Sequence, residues 1–311
     1  MIELVNATKK YGAVTALRDV SFRVNRGETI GLLGQNGAGK TTALNLMTGY
    51  FPPTSGTVRV GGKDMRTAAR ECRRMIGYLP EIPPLYDEMT TEEYLRFVCE
   101  LREVKRAAIP AHVTEVMALC GLSEMRKRLL GHMSKGYRQR AGIAQALCGS
   151  PEILIFDEPT VGLDPKQTVE IRELIRSLSA DHTVVFSSHI LSEVQQLCSR
   201  VIILDGGRMA LDYDAGHPEK ETVRFRLTIA GDGGRVMDRL RQLDPEIRAE
   251  QVPSAEPGIT EARLVLPRRG DGGAAADRVF RLLAAAGLPV RMMREEQETL
   301  EEVFLNVVSG E

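Results

Sequence analysis

The sequence predicts an α/β domain followed by a smaller α+β domain, and three observations carry the prediction. A glycine-rich loop lies between a strand pattern and a helix pattern near residue 34. Short apolar runs typical of strands buried on both faces recur up to about residue 213. Apolar and polar residues alternate from residue 223, as in a strand buried on one face. A chain of 311 residues has the length of roughly two domains.

The glycine-rich segment is a phosphate-binding loop in which every required position is filled. Glu28 to Leu33 is predicted to be a short buried strand and Ala43 to Met47 a helix. Glycines let successive N–H groups point at one anion, and the helix directs its positive end at the same place. Lys40 would neutralise phosphate charge, and Thr41 would bind Mg²⁺. The predicted nucleotide-binding residues are Gly34, Gln35, Asn36, Gly37, Ala38, Gly39, Lys40, Thr41 and Thr42.

A second strand pattern ends in two carboxylates. Ile153 to Phe156 is an apolar run, and Asp157 and Glu158 follow it directly. At the end of a buried strand the first carboxylate can hold Mg²⁺, while the second can polarise an attacking water molecule. Asp157 is therefore the predicted metal ligand and Glu158 the predicted catalytic residue of a nucleoside triphosphatase.

Further elements of the first domain follow from shorter patterns. Thr183 to Phe186 and Val201 to Leu204 predict two more strands of the buried sheet. Thr90 and Glu93 have the spacing of a capping box, which predicts the start of a helix. The polar stretch from Asp212 to Lys220 predicts a linker. The predicted domains are therefore 1–215 and 216–311.

The residues after the linker predict a separate α+β domain. Apolar residues alternate through Val223, Phe225, Leu227 and Ile229. Later apolar spacings give the order β-α-β-β-α-β if Ile247 to Val252 is a strand, which indicates a ferredoxin-like sandwich. A last amphipathic helix is predicted around Leu300 to Val307. Because this domain has no phosphate loop and no clustered ligands, we expect it to regulate or stabilise a dimer.

Composition excludes several function classes. The 41 basic and 42 acidic residues give no bias towards nucleic acid, so no nucleic-acid partner is expected. Five scattered cysteines do not indicate a disulfide framework, and a reducing cytoplasm is the natural compartment. No apolar run approaches the ~20 residues that span a bilayer, and no export signal is expected at the N-terminus.

A second anion-binding pattern precedes the helix pattern of residues 141–147. A serine hydroxyl, a glycine N–H and a helix N-terminus together make such a site, and a single phosphate-loop subunit does not need it. Here the chain resembles the ATP-binding subunits of ABC transporters, whose signature motif is usually Leu-Ser-Gly-Gly-Gln and contacts the γ-phosphate held by the partner subunit. Met133, Lys135 and Tyr137 depart from that motif, whereas Ser134, Gly136, Gln139 and Arg140 match. This form looks like the ABC-2 export branch, closest to the gliding-motility type.

The resemblance assigns roles to four more positions. Asp164, in Gly162 to Pro165, is similar to the family's D-loop, which reaches across the dimer. His189 corresponds to the switch histidine that hydrogen-bonds the γ-phosphate and the attacking water. Tyr11 stands where the family has an aromatic ring that stacks on adenine. Glu81 occupies the position where most relatives have a glutamine that senses Mg²⁺ and the transmembrane partner.

Glu81 and the segment that follows it bear on Mg²⁺ binding and on contact with the transmembrane partner. A carboxylate would bind Mg²⁺ more strongly than an amide, yet it adds negative charge near the γ-phosphate. Pro83 to Tyr86 is apolar and rigid, and it is either a docking groove for a membrane helix or an internally packed loop.

The resemblance spans residues 1 to about 213 and implies an ABC-type P-loop NTPase with a helical subdomain at about 86–150. It implies a homodimeric, Mg²⁺-dependent ATPase that encloses two ATP molecules and drives a separate transmembrane permease from the inner face of the cell membrane. One alternative is a soluble ABC-type ATPase of translation or DNA repair, although those usually carry two such domains or a coiled-coil insertion. A GTPase or small-molecule kinase fits less well, because the guanine-reading Asn-Lys-x-Asp motif is absent.

Overall fold

The chain separates into two compact units. The computed structural model describes residues 1–214, 222–243, 247–254, 256, 258–267, 272–296 and 304. One unit comprises Met1–Gly216 with the residues from Phe304 onwards, and the other is His217–Val303. Each unit has its own hydrophobic core, as expected of a domain. No helix within the described ranges is long and apolar enough to cross a membrane.

The first unit opens with a four-stranded antiparallel sheet. Its strands in spatial order are β2 (Val14–Val24), β1 (Ile2–Tyr11), β4 (Ser55–Val60) and β5 (Lys63–Asp64). Buried residues such as Ile2 and Leu4 alternate with more exposed ones, because one face of the sheet packs on the core and the other faces solvent.

A six-stranded sheet forms the centre of the same unit and places the functional residues. Its spatial order is β10 (Arg208–Asp214), β9 (Arg200–Asp205), β3 (Thr29–Leu33), β8 (Thr183–Ser188), β7 (Ile153–Asp157) and β6 (Ile76–Leu79). The five strands from β9 to β6 are parallel, and β10 is antiparallel at the edge. Since parallel strands end at one edge of a sheet, the loops after β3, β6, β7 and β8 emerge together.

The predicted linker begins too early, because its first three residues belong to β10. Asp212 pairs with Ile202 and Tyr213 with Val201 of β9. An edge strand exposes one side to solvent and tolerates charged residues, so its composition resembles that of a linker. Asp212 also forms an ion pair with Arg200 at 2.6 Å. The remainder of the predicted linker lies outside the described residues.

Seven α-helices lie in the described part of the first unit. They are α1 (Lys40–Met47), α2 (Ala69–Arg74), α3 (Thr91–Leu101), α4 (Ile109–Leu119), α5 (Lys135–Leu147), α6 (Pro165–Leu178) and α7 (Leu191–Leu197). The capping box of Thr90 and Glu93 is present at the start of α3, as predicted. Helices α3, α4 and α5 pack on one another and form the helical subdomain.

The second unit has the predicted element order. It contains β11 (Thr222–Ala230), α8 (Gly233–Arg241), β12 (Arg248–Val252), β13 (Ile259–Pro267), α9 (Gly272–Ala285) and β14 (Val290–Glu296). The antiparallel sheet order β12-β13-β11-β14 is that of a ferredoxin-like sandwich. The predicted last helix lies outside the described residues except for Phe304.

All five cysteines are buried and free. They are Cys72, Cys99, Cys120, Cys148 and Cys198. Burial raises the pKa of the Cys120 and Cys198 thiols to about 12, so both stay protonated at neutral pH. The cysteines therefore belong to the packing of the first unit and form no disulfide.

Candidate nucleotide-binding and catalytic site

The loop between β3 and α1 depends on glycine at particular points. A Cβ on Gly34 would lie 2.4 Å from the backbone oxygen of Leu204, so only glycine fits without moving the backbone. Gly37 and Gly39 have φ angles of 84° and 105°, which are strongly unfavourable for any residue with a Cβ. These constraints let the loop turn sharply into the N-terminus of α1, where N–H groups can face an anion.

Lys40 lies at the centre of this loop and is only 6% exposed. Its ammonium donates to the carbonyl oxygens of Gly34 at 2.8 Å and Gln35 at 3.3 Å. The Nζ atom also lies 3.3 Å from Oε1 of Glu158. The lysine therefore links the phosphate loop to the loop that follows β7.

The two acidic residues at the end of β7 are held by one serine. Ser187 Oγ donates to Asp157 Oδ1 at 2.7 Å and accepts from the N–H of Glu158 at 2.9 Å. Burial raises the pKa of Asp157, while hydrogen bonds from Ser187 and Thr41 lower it. Glu158 has a φ of 46°, a left-handed conformation that a glutamate adopts only when its surroundings enforce it.

His189 lies directly after β8 and faces the second of these acids. Its Nδ1 is 2.8 Å from Oε2 of Glu158. The His189 side chain is 38% exposed, whereas the Glu158 side chain is buried, so the pair spans the boundary between interior and solvent. The structure thus brings the two predicted catalytic residues into direct contact.

A cleft of about 470 Å³ unites most of the predicted nucleotide-binding residues. The size falls in the range of small-molecule sites. The predicted residues that line it are Tyr11, Gln35, Asn36, Gly37, Gly39, Lys40, Thr41, Thr42, Glu81, Glu158 and His189. Gly34, Ala38 and Asp157 are buried beneath its surface. Ala16 and Val161 also line the cleft and were not predicted, because small apolar residues outside a motif carry no signal in the sequence.

Tyr11 lines the cleft and contacts two neighbouring residues. Its ring meets Phe51 edge-on at 5.9 Å between centroids, and the ammonium of Lys9 lies 5.2 Å from the ring centroid. The side chain is 42% exposed, so its ring remains accessible to a planar ligand.

The donor set at the end of β7 suits a hard divalent cation. The Thr41 hydroxyl bonds to Asp157, and the negative charges of Glu158 and Glu81 also raise the pKa of that carboxyl. Oxygen ligands and concentrated negative charge are what Mg²⁺ prefers, usually with only one or two carboxylates and with phosphate oxygens. Within the described ranges, no three His, Cys, Asp or Glu side chains converge as a preformed cage.

The predicted signature residues lie in a different pocket of about 400 Å³. Ser134, Gly136 and Asp164 line this pocket, and none of them lines the phosphate-loop cleft. Ser134 precedes α5 but makes no side-chain bond to that helix. Asp164 caps α6 by accepting the N–H of Gln167 at 2.8 Å. One chain therefore contains two separate candidate anion-binding surfaces.

The segment from Pro83 to Tyr86 packs on the helical subdomain and leaves some apolar side chains exposed, whereas its role as a docking groove stays a prediction. The Tyr94 hydroxyl donates to the Pro84 carbonyl at 3.2 Å, and the Tyr86 ring contacts Tyr94 and Phe97 of α3. Tyr86 is nevertheless 48% exposed, and the preceding Ile82 is 82% exposed. The loop packs on the helical subdomain and presents apolar surface on its other side.

Sequence reasoning missed the function of Ser187. A serine at the end of a strand is usually an ordinary polar boundary, whereas Ser187 is fully buried and holds both acids. The available signal was position, because Ser187 is the last but one residue of β8 and pairs with Asp157 of the neighbouring strand.

Comparison with known proteins agrees with this geometry. The ABC transporter family profile matches residues 17–161. An uncharacterized ABC transporter ATP-binding protein of Bacillus subtilis, YxlF, is 32% identical over 99% of both chains. The bacitracin transport ATP-binding protein BcrA of Bacillus licheniformis is 31% identical over 100% of this chain and 98% of BcrA. A dimeric ATP-binding cassette solved with ADP and phosphate aligns with a TM-score of 0.64 and 26% identity, covering 70% of this chain and all of that one.

Proposed function

The chain belongs to the family of ATP-binding subunits of ABC transporters, and from this premise we propose that it powers an ABC-2 type exporter as a Mg²⁺-dependent homodimer. In this proposal two copies enclose two ATP molecules, and each ATP contacts the phosphate loop of one copy and the signature surface of the other. Closing on ATP and opening after hydrolysis would move the helices of a separate permease.

The observation that carries the proposal is the separation of the two anion-binding surfaces. The cleft at Lys40 contains the candidate catalytic pair, whereas Ser134 and Gly136 line another pocket. The serine hydroxyl and the helix N-terminus do not line the first cleft. They can bind phosphate if they contact the ATP held by a second copy. The relative solved as a dimer with ADP and phosphate supports this arrangement.

Within one cleft we propose the following roles. Lys40 and the N–H groups of the phosphate loop bind the β- and γ-phosphates, which compete with Glu158 for the lysine. Glu158 orients and polarises the attacking water. His189 hydrogen-bonds the γ-phosphate, and its contact with Glu158 keeps the two side chains at the same phosphate. Tyr11 stacks on adenine at the rim.

Mg²⁺ would be held by Thr41 and by Asp157 through water, and Glu81, which lines the same cleft, would be a further oxygen ligand. When bound, the ion would neutralise charge that develops on the phosphates. Ser187 keeps Asp157 in place for this task through its 2.7 Å hydrogen bond.

The permease would dock where apolar surface of the first unit is exposed. Ile82 and Tyr86 offer such surface. A second candidate element is a cleft of about 360 Å³ that is lined by Tyr50, Tyr78 and Arg102 among others. Binding there would place the chain on the inner face of the cell membrane. A role in transport is supported by BcrA, a bacitracin transport ATP-binding protein whose similarity extends through both units of this chain.

The alternative of a soluble ABC-type ATPase in translation or DNA repair has less support. BcrA, the relative reported above whose name states a cargo, acts in transport. The near-equal numbers of basic and acidic residues also give no advantage on RNA or DNA. The cargo itself would be selected by the permease.

Two experiments test the proposal. Purification of the tagged chain from detergent-solubilised membranes should recover a polytopic protein, and recovery of ribosomes or DNA instead would favour the alternative. Sizing chromatography of the Glu158→Gln variant should show a dimer with MgATP and a monomer without it. Lys40→Ala is the control, because it removes the cation that binds phosphate and should stay monomeric.

A further inference from the structure

A third buried carboxylate connects the two loops that carry the catalytic pair. Glu193 lies in the first turn of α7 and is 4% exposed. Its Oε2 atom accepts hydrogen bonds from Thr160 Oγ1 at 2.9 Å and from Ser188 Oγ at 2.8 Å. Thr160 follows Glu158 by two residues, and Ser188 directly precedes His189. One carboxylate oxygen therefore joins both loops.

The contacts of Glu193 are not those of an ordinary helix cap. The N-cap of α7 is Ile190, which makes no side-chain cap bond, and both donors to Glu193 lie outside the helix. Burying a carboxylate beside neutral hydroxyls costs free energy that an apolar residue would avoid. The helix N-terminus offsets part of this cost. The position needs an explanation beyond helix stability.

Ser188 extends the connection to the backbone. Its Oγ donates to Glu193 and accepts from the N–H of Ile190 at 3.0 Å, so the peptide after His189 is held as well. The neighbouring Ser187 makes a separate link through Asp157 and Glu158. Both serines are fully buried, and water does not compete for these bonds.

We infer that Glu193 is a positioning residue for ATP hydrolysis, because its carboxylate sets the distance between Glu158 and His189. The inference rests on the proposed function, since that distance affects turnover only if both residues face the γ-phosphate. Without the bond to Thr160, the loop after β7 could shift relative to His189. Lys40 keeps its bonds to the phosphate loop, so ATP binding should change little.

The test compares two substitutions of Thr160, which donates one of the two hydrogen bonds to Glu193. Thr160→Val keeps the shape but removes the hydroxyl, and we expect kcat to fall by about 10-fold to 100-fold, as for misplaced catalytic groups. KM for MgATP should stay within about twofold, since ground-state binding is retained. Thr160→Ser keeps the hydroxyl and should restore most of kcat.

A matched control separates positioning from stability. Thr91 is buried as Thr160 is, and its Oγ1 donates to the Met125 carbonyl at 2.9 Å in the helical subdomain. Thr91→Val should lower the melting temperature by an amount similar to that of Thr160→Val while leaving kcat unchanged. Glu193→Gln retains an oxygen acceptor and should fall between the wild type and Glu193→Ala in kcat.

The outcomes distinguish a positioning role of Glu193 from a role in stability alone. Equal kcat values for Thr160→Val and Thr91→Val, or a rise in KM at unchanged kcat, would overturn the positioning role. If Thr160→Val or Thr91→Val does not fold, kcat of Glu193→Gln is compared with kcat of the wild type instead. A lower kcat in Glu193→Gln would support the positioning role, and an equal kcat would overturn it. Glu158→Gln is measured alongside: wild-type turnover there rejects the proposed role of Glu158, whereas loss of turnover there with normal Thr160→Val rejects only the inference about Glu193.

Discussion

The two candidate anion-binding surfaces of the first unit differ in how their polar groups are held. At the phosphate loop, Lys40, Asp157 and Glu158 are 6%, 1% and 8% exposed and bond to the loops around them. At the second surface, Ser134 and Asp164 are exposed. The first surface is organised within one chain, whereas the second presents its groups outwards. The proposed dimer requires this difference, because in it the second surface completes a site on another copy.

The largest effect should follow from removing the charge of Glu158 in the organised cleft. An amide cannot accept the proton of the attacking water, so Glu158→Gln should lower kcat by about 10²–10⁴-fold while ATP still binds. Glu152→Gln is the control, because Glu152 pairs with Arg26 at the surface and its loss should leave kcat unchanged. Phosphate release measures turnover, and wild-type kcat in Glu158→Gln would contradict the assignment.

The second surface is tested by a variant that should fail only in the dimer. Ser134→Arg blocks the exposed serine and should lower turnover by at least about 10²-fold, as loss of a phosphate-binding donor does. ATP affinity of the single subunit should stay nearly unchanged, because the phosphate loop is intact. Equilibrium binding of a fluorescent ATP analogue to the Ser134→Arg variant measures this affinity.

Mixing two inactive variants sharpens the comparison further. A mixed dimer of Ser134→Arg with Lys40→Ala subunits has one site in which Lys40 and Ser134 are both intact, so partial turnover should return. The ratio of the two variants should determine the yield, with a maximum at equal amounts. Absence of turnover at every ratio, with mixed dimers demonstrated, would show that the surfaces do not share a nucleotide.

A smaller difference should separate two glycines, one from each surface. A Cβ on Gly34 would meet the Leu204 backbone at 2.4 Å, whereas a Cβ on Gly136 would meet the side chain of Gln167 at 2.7 Å. Gly34→Ala should cost about 1–3 kcal/mol of unfolding free energy and weaken ATP binding, because backbone has to move. Gly136→Ala should cost less, since a side chain can rotate away. Urea unfolding measures the unfolding free energy of both variants, and a larger loss in Gly136→Ala than in Gly34→Ala would contradict the prediction.

The smallest effect on nucleotide binding should follow from removing the second unit. Both surfaces lie before Gly216, and the second unit has its own core. Truncation after Gly216 removes the second unit together with the residues from Phe304 onwards that group with the first unit. Because no residue of either candidate surface is lost, ATP affinity should stay within about twofold. Dimer affinity or permease-stimulated turnover should change if the second unit regulates assembly. Loss of ATP binding would place the domain boundary elsewhere, and unchanged transport would reject regulation.

Local patterns in the sequence predicted much of the fold. The alternation from Val223 to Ile229 has a short-range physical cause, one buried face, and it appears in β11. The capping box at Thr90 likewise depends on neighbouring residues. The predicted linker failed at Asp212 because an edge strand and a linker have similar compositions, and only pairing with β9 distinguishes them.

The candidate site was predictable where a motif carries the chemistry. Phosphate-loop spacing identifies Lys40, and two acids after an apolar run identify Asp157 and Glu158. Ser187 and Glu193 act through contacts between strands and loops that are distant in sequence, and no spacing rule reports such contacts. Their burial as polar residues becomes visible only in the folded structure.

The burial of all five cysteines has a practical consequence for spectroscopy. With every native thiol inside the first unit, a maleimide dye should react slowly with the folded wild-type chain. A cysteine introduced at the exposed Lys166, which lines the second surface, would then be the single fast-reacting position. The native cysteines can remain in place for this purpose. A fluorophore attached there would report the approach of a second copy in real time.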